Sequence, residues 1–213
     1  MKKTHLIIIS ALLFIASNSF SQVKFGVKAG VNFANMNIVT QNAPNTKMLT
    51  SFHIGGILDY SVNDFFAIQP GILISGKGFK YEESISGFTV KVDSKPIYID
   101  IPVLLLLRKD IGGVKLFGGA GPYLGFGIAG KYSYSGGGIS EDGNIKWGSD
   151  VDSNYKRGDF GLNFNGGLEL SNGFLFSVSY QLGLMNLTPS GSSDNKQTNR
   201  VLGVSIGYLF GEN

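Results

Sequence analysis

The chain has 213 residues, of which 43% are apolar and 15% charged, with two His and no Cys. A typical soluble domain carries roughly 25% charged residues, and a disordered chain has a far lower apolar content than this one. The lack of Cys excludes a disulfide framework, thiolate metal sites and a Cys nucleophile, and two His cannot form a multi-His metal site. Composition therefore removes most enzyme classes and predicts one domain with no metal and no cofactor.

Residues 1–21 have the pattern of a cleaved secretory signal peptide. Lys2 and Lys3 precede an apolar run at 6–16, and small residues stand just before the expected cleavage point. This run of about 11 residues is too short to cross a membrane as a helix. Its removal lowers Lys+Arg from 18 to 16 against 15 Asp+Glu, so the net charge falls from +3 to +1. Such a balance gives no reason to expect a nucleic-acid partner, and the mature domain covers 22–213.

The mature chain alternates apolar and polar residues with a period of two, which is typical of β-strands with two different faces. In 160–170, for example, Phe160, Leu162 and Phe164 alternate with Asn163 and Asn165. A helix would scatter these side chains around its circumference. The same alternation occurs in eight segments: 23–33, 52–61, 68–75, 97–107, 114–128, 160–170, 174–184 and 201–210.

The connections between these segments alternate in length. Short turns follow the second, fourth and sixth segments, and one of them contains Asn172-Gly173, a strong hairpin signal. The other connections are longer, at about 34–50, 83–90, 132–157 and 186–198. Short turns at one end and long loops at the other are typical of outer-membrane barrels, in which the long loops face outward.

The apolar face of these strands could point outward into lipid or inward into the core of a soluble, lipocalin-like barrel. The polar face is crowded with Gly rather than with Lys and Glu, which suits a narrow lumen better than a surface in water. Its few titratable groups have mixed charge and can pair inside a lumen. We therefore predict an all-β, eight-stranded antiparallel up-and-down transmembrane β-barrel with a polar network in its lumen: Lys24, Lys28, His53, Asp59, Asp100, Lys115 and Glu169.

Candidate chemistry is sparse. His53 and Asp59 share the lumen face and could form a general base with its orienting acid, although a structural hydrogen bond in a filled barrel is favoured. Residues 150–154 open like a calcium loop but lack the Gly and Glu that the motif needs, which favours a solvated loop. Four aromatic residues of the third long loop are candidates either for contact with a partner or for packing on the barrel rim: Tyr132, Tyr134, Trp147 and Tyr155.

Three motifs carry a family resemblance. The first strand, 23–33, resembles the opening of the outer-membrane β-barrel "porin family" domain of the PorT-like type. Residues 97–104 (Ile-Tyr-Ile-Asp-Ile-Pro-Val-Leu) resemble the middle strand of that family, and 118–125 (Gly-Gly-Ala-Gly-Pro-Tyr-Leu-Gly) resemble the strand that follows it. The resemblance implies an integral eight-stranded barrel, and its PorT branch is associated with protein secretion.

The sequence thus predicts a non-enzymatic, monomeric barrel, exported to the outer membrane of a Gram-negative bacterium and surrounded by outer-membrane lipid. The leading function is a structural or interaction role through the outward loops, linked to protein secretion or to binding of a protein or surface ligand. The alternatives are a narrow pore for small solutes or ions, a lipid-modifying barrel enzyme and a soluble lipocalin-like carrier.

Overall fold

A computed structural model describes residues 23–41, 43–85, 88–192 and 194–211. The expected signal peptide at 1–21 lies outside these ranges. Within them, no helix is long and apolar enough to cross a membrane. The strands are β1 (Val23–Val39), β2 (Leu49–Ser61), β3 (Phe66–Gly76), β4 (Phe79–Ile85), β5 (Phe88–Ile111), β6 (Val114–Gly136), β7 (Ile139–Asn144), β8 (Gly158–Leu170), β9 (Phe174–Gly183) and β10 (Lys196–Phe210).

Eight of these strands close into an antiparallel ring in the order β1-β2-β3-β5-β6-β8-β9-β10. The first and last strands pair with each other from Phe25↔Phe210 to Val39↔Lys196, and this pairing closes the barrel. Closure leaves the ring without an open edge, so every strand can satisfy its backbone donors and acceptors on both sides. The predicted eight-stranded up-and-down barrel is confirmed.

Two strands lie outside the ring, where the sequence pattern predicts long loops. Strand β4 pairs with the start of β5, strand β7 pairs with the end of β6, and β5 and β6 pair with each other as far as Lys91↔Ser135. The predicted loop at 83–90 is therefore a β-hairpin, and the predicted loop at 132–157 contains another. Together β4, 88–96 of β5, 130–136 of β6 and β7 form a four-stranded extension that we call the outer sheet.

The outside of the ring is apolar. Phe25, Ile72 and Leu107 are 65%, 62% and 64% exposed, while Asp59 and Asp100 inside the ring are 0% and 1% exposed. On β5 the outward apolar residues run from Ile97 to Leu107, which is a span of about 11 residues and matches what a tilted strand needs to cross a bilayer. An apolar surface of this extent is stable in lipid, and it excludes the soluble, lipocalin-like arrangement.

Inward glycines make room for large side chains in this narrow ring. A Cβ atom at Gly161 would lie 2.8 Å from Tyr123 Cε1, and one at Gly167 would lie 2.7 Å from Phe117 Cζ. Both distances are far below van der Waals contact. The Gly-rich face seen in the sequence is therefore the space into which aromatic side chains of neighbouring strands pack.

The lumen is closed by apolar packing near both ends. Close to the short turns, the apolar floor consists of Ile57, Ala67, Leu104, Leu106, Phe117, Leu175 and Leu209. At the end with the long connections, the mouth cluster consists of Met36, Phe79, Ile145, Tyr155 and Leu187, with Trp147 packed against it. The barrel is thus a filled cylinder whose polar groups lie between two apolar layers and at the turn end.

Candidate functional site

The strongest electrostatic feature of the lumen is a cluster around Lys77, which lies just after β3 and is completely buried. Its Nζ atom is 3.0 Å from Asp100 Oδ1 on β5 and 3.0 Å from Asp159 Oδ2 on β8. The ammonium also lies 4.8 Å and 4.5 Å from the ring centroids of Tyr98 and Tyr123. A buried cation between two carboxylates and two aromatic faces joins strands on opposite sides of the ring.

Neutral hydrogen bonds complete this Lys77 cluster. Asp159 Oδ2 accepts from Tyr123 Oη at 3.1 Å and from Asn199 Nδ2 at 2.9 Å, and Asp100 Oδ2 accepts from Gln181 Nε2 at 3.2 Å. These donors stabilise the negative charge that one ammonium alone does not balance. The cluster therefore holds β3, β5, β6, β8, β9 and β10 in register.

Of this cluster, the sequence prediction named only Asp100. Lys77 continues the inward set of β3 two residues beyond the predicted segment, and Asp159 precedes the predicted start of β8 by one residue. Extending each alternation by one period would have placed both residues in the lumen. Their meeting could not be predicted, because it depends on the stagger of the strands around the ring.

His53 forms a second group with Asn32 and Ser205. The Asn32 Nδ2 group donates to Gly76 O at 3.0 Å, so its Oδ1 atom faces His53 Nδ1 at 2.8 Å and accepts a hydrogen bond from it. His53 Nε2, at 2.8 Å from Ser205 Oγ, then accepts from the hydroxyl. The network therefore assigns the neutral tautomer with the proton on Nδ1.

The Ser205–His53–Asn32 arrangement has the connectivity of a nucleophile, a base and an orienting group. However, Ser205 is 4% exposed, and the neighbouring cavity has a volume of only about 40 Å³ for water. At roughly 10–15 Å³ per water, this is space for about three waters and not for an acyl substrate. The expected partner Asp59 does not contact His53, since its carboxylate binds Arg108 and Gln69.

The remaining predicted lumen charges gather at the turn end. Lys24 Nζ lies 3.5 Å from Glu169 Oε1, and Lys115 stands opposite Glu169 in the β6–β8 register. Arg108, which the sequence prediction missed, pairs with Asp59. The predicted network is thus divided into separate groups, with Lys28 between them beside the cavity.

The outer sheet carries charges of both signs on its outward face. Glu82 on β4 lies 3.0 Å from Lys91 Nζ on β5 and 3.4 Å from Lys47 Nζ. The hydrogen bond from Lys91, with a second from Lys47, holds the pKa of Glu82 below its ordinary value. These cross-strand pairs favour one register of the β4–β5 hairpin, although exposed pairs contribute little to stability.

The four predicted contact aromatics occupy two different places. Tyr132 and Tyr134 lie in the outer sheet, and Tyr132 Oη donates to Glu141 Oε1 at 2.9 Å. Tyr155 is 6% exposed and hydrogen-bonds Ser94 at 2.8 Å, while Trp147 meets Tyr98 edge to face at 5.2 Å between ring centroids. The last two side chains therefore pack in the barrel mouth, which is the second of the two roles considered for them.

A closed antiparallel ring with an apolar outer face and a filled polar lumen defines an integral membrane β-barrel. Residues 16–189 match the family described as "Outer membrane protein beta-barrel domain", and the chain belongs to this family. It is thus an integral β-barrel protein of the outer membrane.

Several solved outer-membrane structures are similar to the chain. OprG from Pseudomonas aeruginosa is 13% identical with a TM-score of 0.46, over 90% of this chain and 98% of that one. Neisserial surface protein A is 14% identical with a TM-score of 0.45, over 87% and 97%. The attachment invasion locus protein Ail of Yersinia pestis is 18% identical with a TM-score of 0.41, over 89% and 99%. No curated protein matches the chain.

Proposed function

We propose that this protein is a non-enzymatic interaction protein that uses its barrel as an anchor and presents the outer sheet to a protein partner at the cell surface. The observation that carries this proposal is the continuation of the β5–β6 pairing to Lys91↔Ser135, well beyond the lipid-facing segment. Flanked by β4 and β7, this extension is an ordered sheet rather than a set of separate loops. A rigid, pre-organised surface binds with a smaller entropic cost than a mobile loop does.

The composition of the outer sheet supports a hydrated macromolecular partner. Its outward face alternates cations and carboxylates, including Lys91, Asp93, Lys95, Lys131 and Asp142. Such mixed charge favours electrostatic complementarity with another polar surface over insertion into lipid. On the opposite face of the sheet, the exposed Tyr134 offers an amphipathic contact residue of the kind that interfaces use.

The packing of the lumen argues against the alternative of a narrow pore. The apolar floor, the Lys77 cluster and the mouth cluster follow one another along the barrel axis. The cavity between them has a volume of only about 40 Å³ for water. An ion would need a continuous polar path, and these layers interrupt it. In planar bilayers we expect no steady conductance, and a stable single-channel current would favour the pore.

Several finer features belong to the same proposal. The three motifs at 23–33, 97–104 and 118–125 favour the PorT-like subtype and with it a link to protein secretion. We also propose export by a signal peptide at 1–21 and a monomeric barrel in the outer membrane of a Gram-negative bacterium.

Site-specific photocrosslinking in intact cells tests the display function. A photoreactive residue at Lys91 or Ser133 would report on the outer sheet, and the matched controls are Val151 in the neighbouring loop and Lys109 at the turn end. We expect one discrete protein adduct from both sheet positions and none from the controls. The absence of adducts from the sheet, or equal adducts at Val151, would contradict the role of the outer sheet.

A further inference from the structure

Lys28 is a buried cation that forms no direct ion pair with a carboxylate of the described residues. Its side chain points inward from β1 and is 8% exposed. Its partners in the register are Gly55 on β2 and Gly207 on β10, so no neighbouring side chain stands beside its stem. The ion pairs of the described residues engage Lys24 with Glu169 and Arg108 with Asp59, but none includes Lys28. A buried ammonium without a counter-charge is costly.

The cavity next to Lys28 is polar and small. Asn163 and Ser179 also line it, and the Asn163 Oδ1 atom has no hydrogen-bond partner among the described residues. The Asn163 carboxamide can turn to present its NH₂ group, and the Ser179 hydroxyl can rotate its proton into the cavity. One cation and two neutral donors thus line the same cavity.

The other charged and ring groups at this cavity are already engaged. Asp100 also lines it, but its carboxylate pairs with Lys77 at 3.0 Å and accepts from Gln181 at 3.2 Å. Both ring nitrogens of His53 are used by Asn32 and Ser205 at 2.8 Å. Lys28 is therefore the cation of this layer that no described carboxylate contacts directly, and the one excess negative charge of the Lys77 cluster is held by Lys77 and neutral donors.

We propose that the lumen cavity binds one small monovalent inorganic anion, of the size of chloride, between the Lys28 ammonium and the donors of Ser179 and Asn163. The volume selects this class of ligand. The cavity has a volume of about 40 Å³ for water. Since one water needs roughly 10–15 Å³, a monatomic anion fits with one or two waters. A divalent oxyanion would bring two charges against one ammonium and would need more space. This site is independent of the proposed display function, because it lies below the outer sheet.

The bound anion completes the barrel from inside and makes its stability depend on chloride. The full mature chain, folded in detergent micelles, would be heated in sodium chloride or sodium gluconate at constant ionic strength. The midpoint of unfolding would be followed by the mobility shift between folded and unfolded chains on a gel. Near saturation, mass action predicts a rise of roughly 3–6 °C for each tenfold increase in chloride. Gluconate is too large for the cavity and should give no rise.

The variants Lys28→Met and Lys115→Met separate this site from general salt effects. Lys28→Met keeps an unbranched side chain without charge and should lose the chloride dependence, while Lys115→Met, at the turn end, should keep it. The same chloride response in the wild type and in Lys28→Met, or no response in the wild type, would overturn the proposal.

Crystals of the wild-type protein soaked in sodium bromide give a direct measurement that needs no variant to fold. We expect one anomalous peak within hydrogen-bond distance of Lys28 Nζ, inside the lumen. If Lys28 is instead balanced through water by Asp100, or is neutral, the lumen will show no bromide peak and the proposal fails.

Discussion

Two groups of ion pairs in this protein use the same chemistry in different surroundings. In the lumen, Lys77 lies 3.0 Å from each of Asp100 and Asp159, and all three side chains are at most 1% exposed. On the outer sheet, Glu82 binds Lys91 at 3.0 Å and Lys47 at 3.4 Å with all three side chains in contact with water. The distances are alike, but water is excluded from one group and screens the other.

Because of this difference, the buried ion pairs specify the structure of the barrel, whereas the exposed ion pairs are free to vary. Removal of one member of the buried group leaves charge without compensation, so these residues act together to fix the register of the ring. Removal of an exposed pair costs little, so the outward residues of the sheet can be selected for a partner. Three predictions for the lumen and one for the outer sheet test this contrast, in order of decreasing effect.

Lys77→Met should cause the largest loss of stability. It leaves Asp100 and Asp159 buried side by side without their cation, and breaking such a group typically costs about 3–5 kcal/mol. Unfolding by guanidinium in micelles, followed by the loss of the compact gel band, measures this cost. The triple variant Lys77→Met, Asp100→Asn, Asp159→Asn should recover most of the stability, because no charge remains in the cluster. A single variant as stable as the wild type would show that the cluster does not hold the ring.

Gly127→Val should displace the mouth cluster. A Cβ atom at this position would lie 2.6 Å from Trp147 Cε3, so the indole must move. Overpacking of this kind costs about 1–3 kcal/mol. Trp147 is the one Trp of the chain, so its fluorescence emission reports on the mouth alone and should shift to longer wavelength.

The matched control for the mouth cluster is Gly118→Val on the same strand. A Cβ atom at Gly118 would meet nothing within 4 Å, because the position faces outward. Stability and Trp147 emission should both stay unchanged in this variant. An equal red shift in both variants would mean that Trp147 responds to the barrel as a whole and not to its contact with Gly127.

His53→Leu should cost about 1–3 kcal/mol, since it leaves Asn32 Oδ1 and the Ser205 hydroxyl buried without their partner. Thermal unfolding on gels measures this loss. In the wild type, a fluorophosphonate probe should not label Ser205, because the filled lumen gives it no access. Labelling of Ser205 in the wild type that disappears in His53→Leu would instead show that the Ser205–His53–Asn32 group is reactive.

Acidification should produce the smallest effect, confined to the outer sheet. Hydrogen bonds from Lys91 and Lys47 lower the pKa of Glu82 in the folded chain, so its pairs stabilise the hairpin above its ordinary pKa near 4.5. This stabilisation is lost as the pH falls through the lowered pKa. Hydrogen-exchange protection of β4 should therefore fall between pH 6 and strongly acidic solution, and in Glu82→Gln this pH dependence should be absent. Protection that is independent of pH in the wild type would contradict the pairing.

Most of the barrel could be predicted because alternation is a local property. In each of the eight alternating segments, such as 160–170, the alternation assigns every residue to one of two faces. The Gly-rich face of these segments identifies the lumen. The same reasoning fails in the outer sheet. The β6–β7 hairpin contains polar residues on both faces, so its sequence does not differ from that of a solvated loop. In the β4–β5 hairpin, Val90 and Val92 alternate with Lys91 and Asp93, but this pattern is short and the prediction of a loop overlooked it.

The candidate sites show the same limit. The sequence places His53 on the inner face, but Ser205 is 152 positions away and Asn32 lies on another strand, so their hydrogen bonds depend on the stagger of the closed ring. Trp147 and Tyr155 belong to a segment whose composition is that of a surface loop. They pack in the mouth because Gly127 has no side chain and leaves space for the Trp147 ring.

The inside, the outside and the number of strands in the ring follow from the amino-acid sequence, because side-chain alternation and turn length are encoded by residues that are neighbours in the chain. Which buried charges meet depends on the closed ring. It joined Lys77 to Asp100 and Asp159, and it left Lys28 beside a cavity. The physical reason is that ring closure fixes distances between residues far apart in sequence, and a shift of one period on any strand would give each charge a different neighbour.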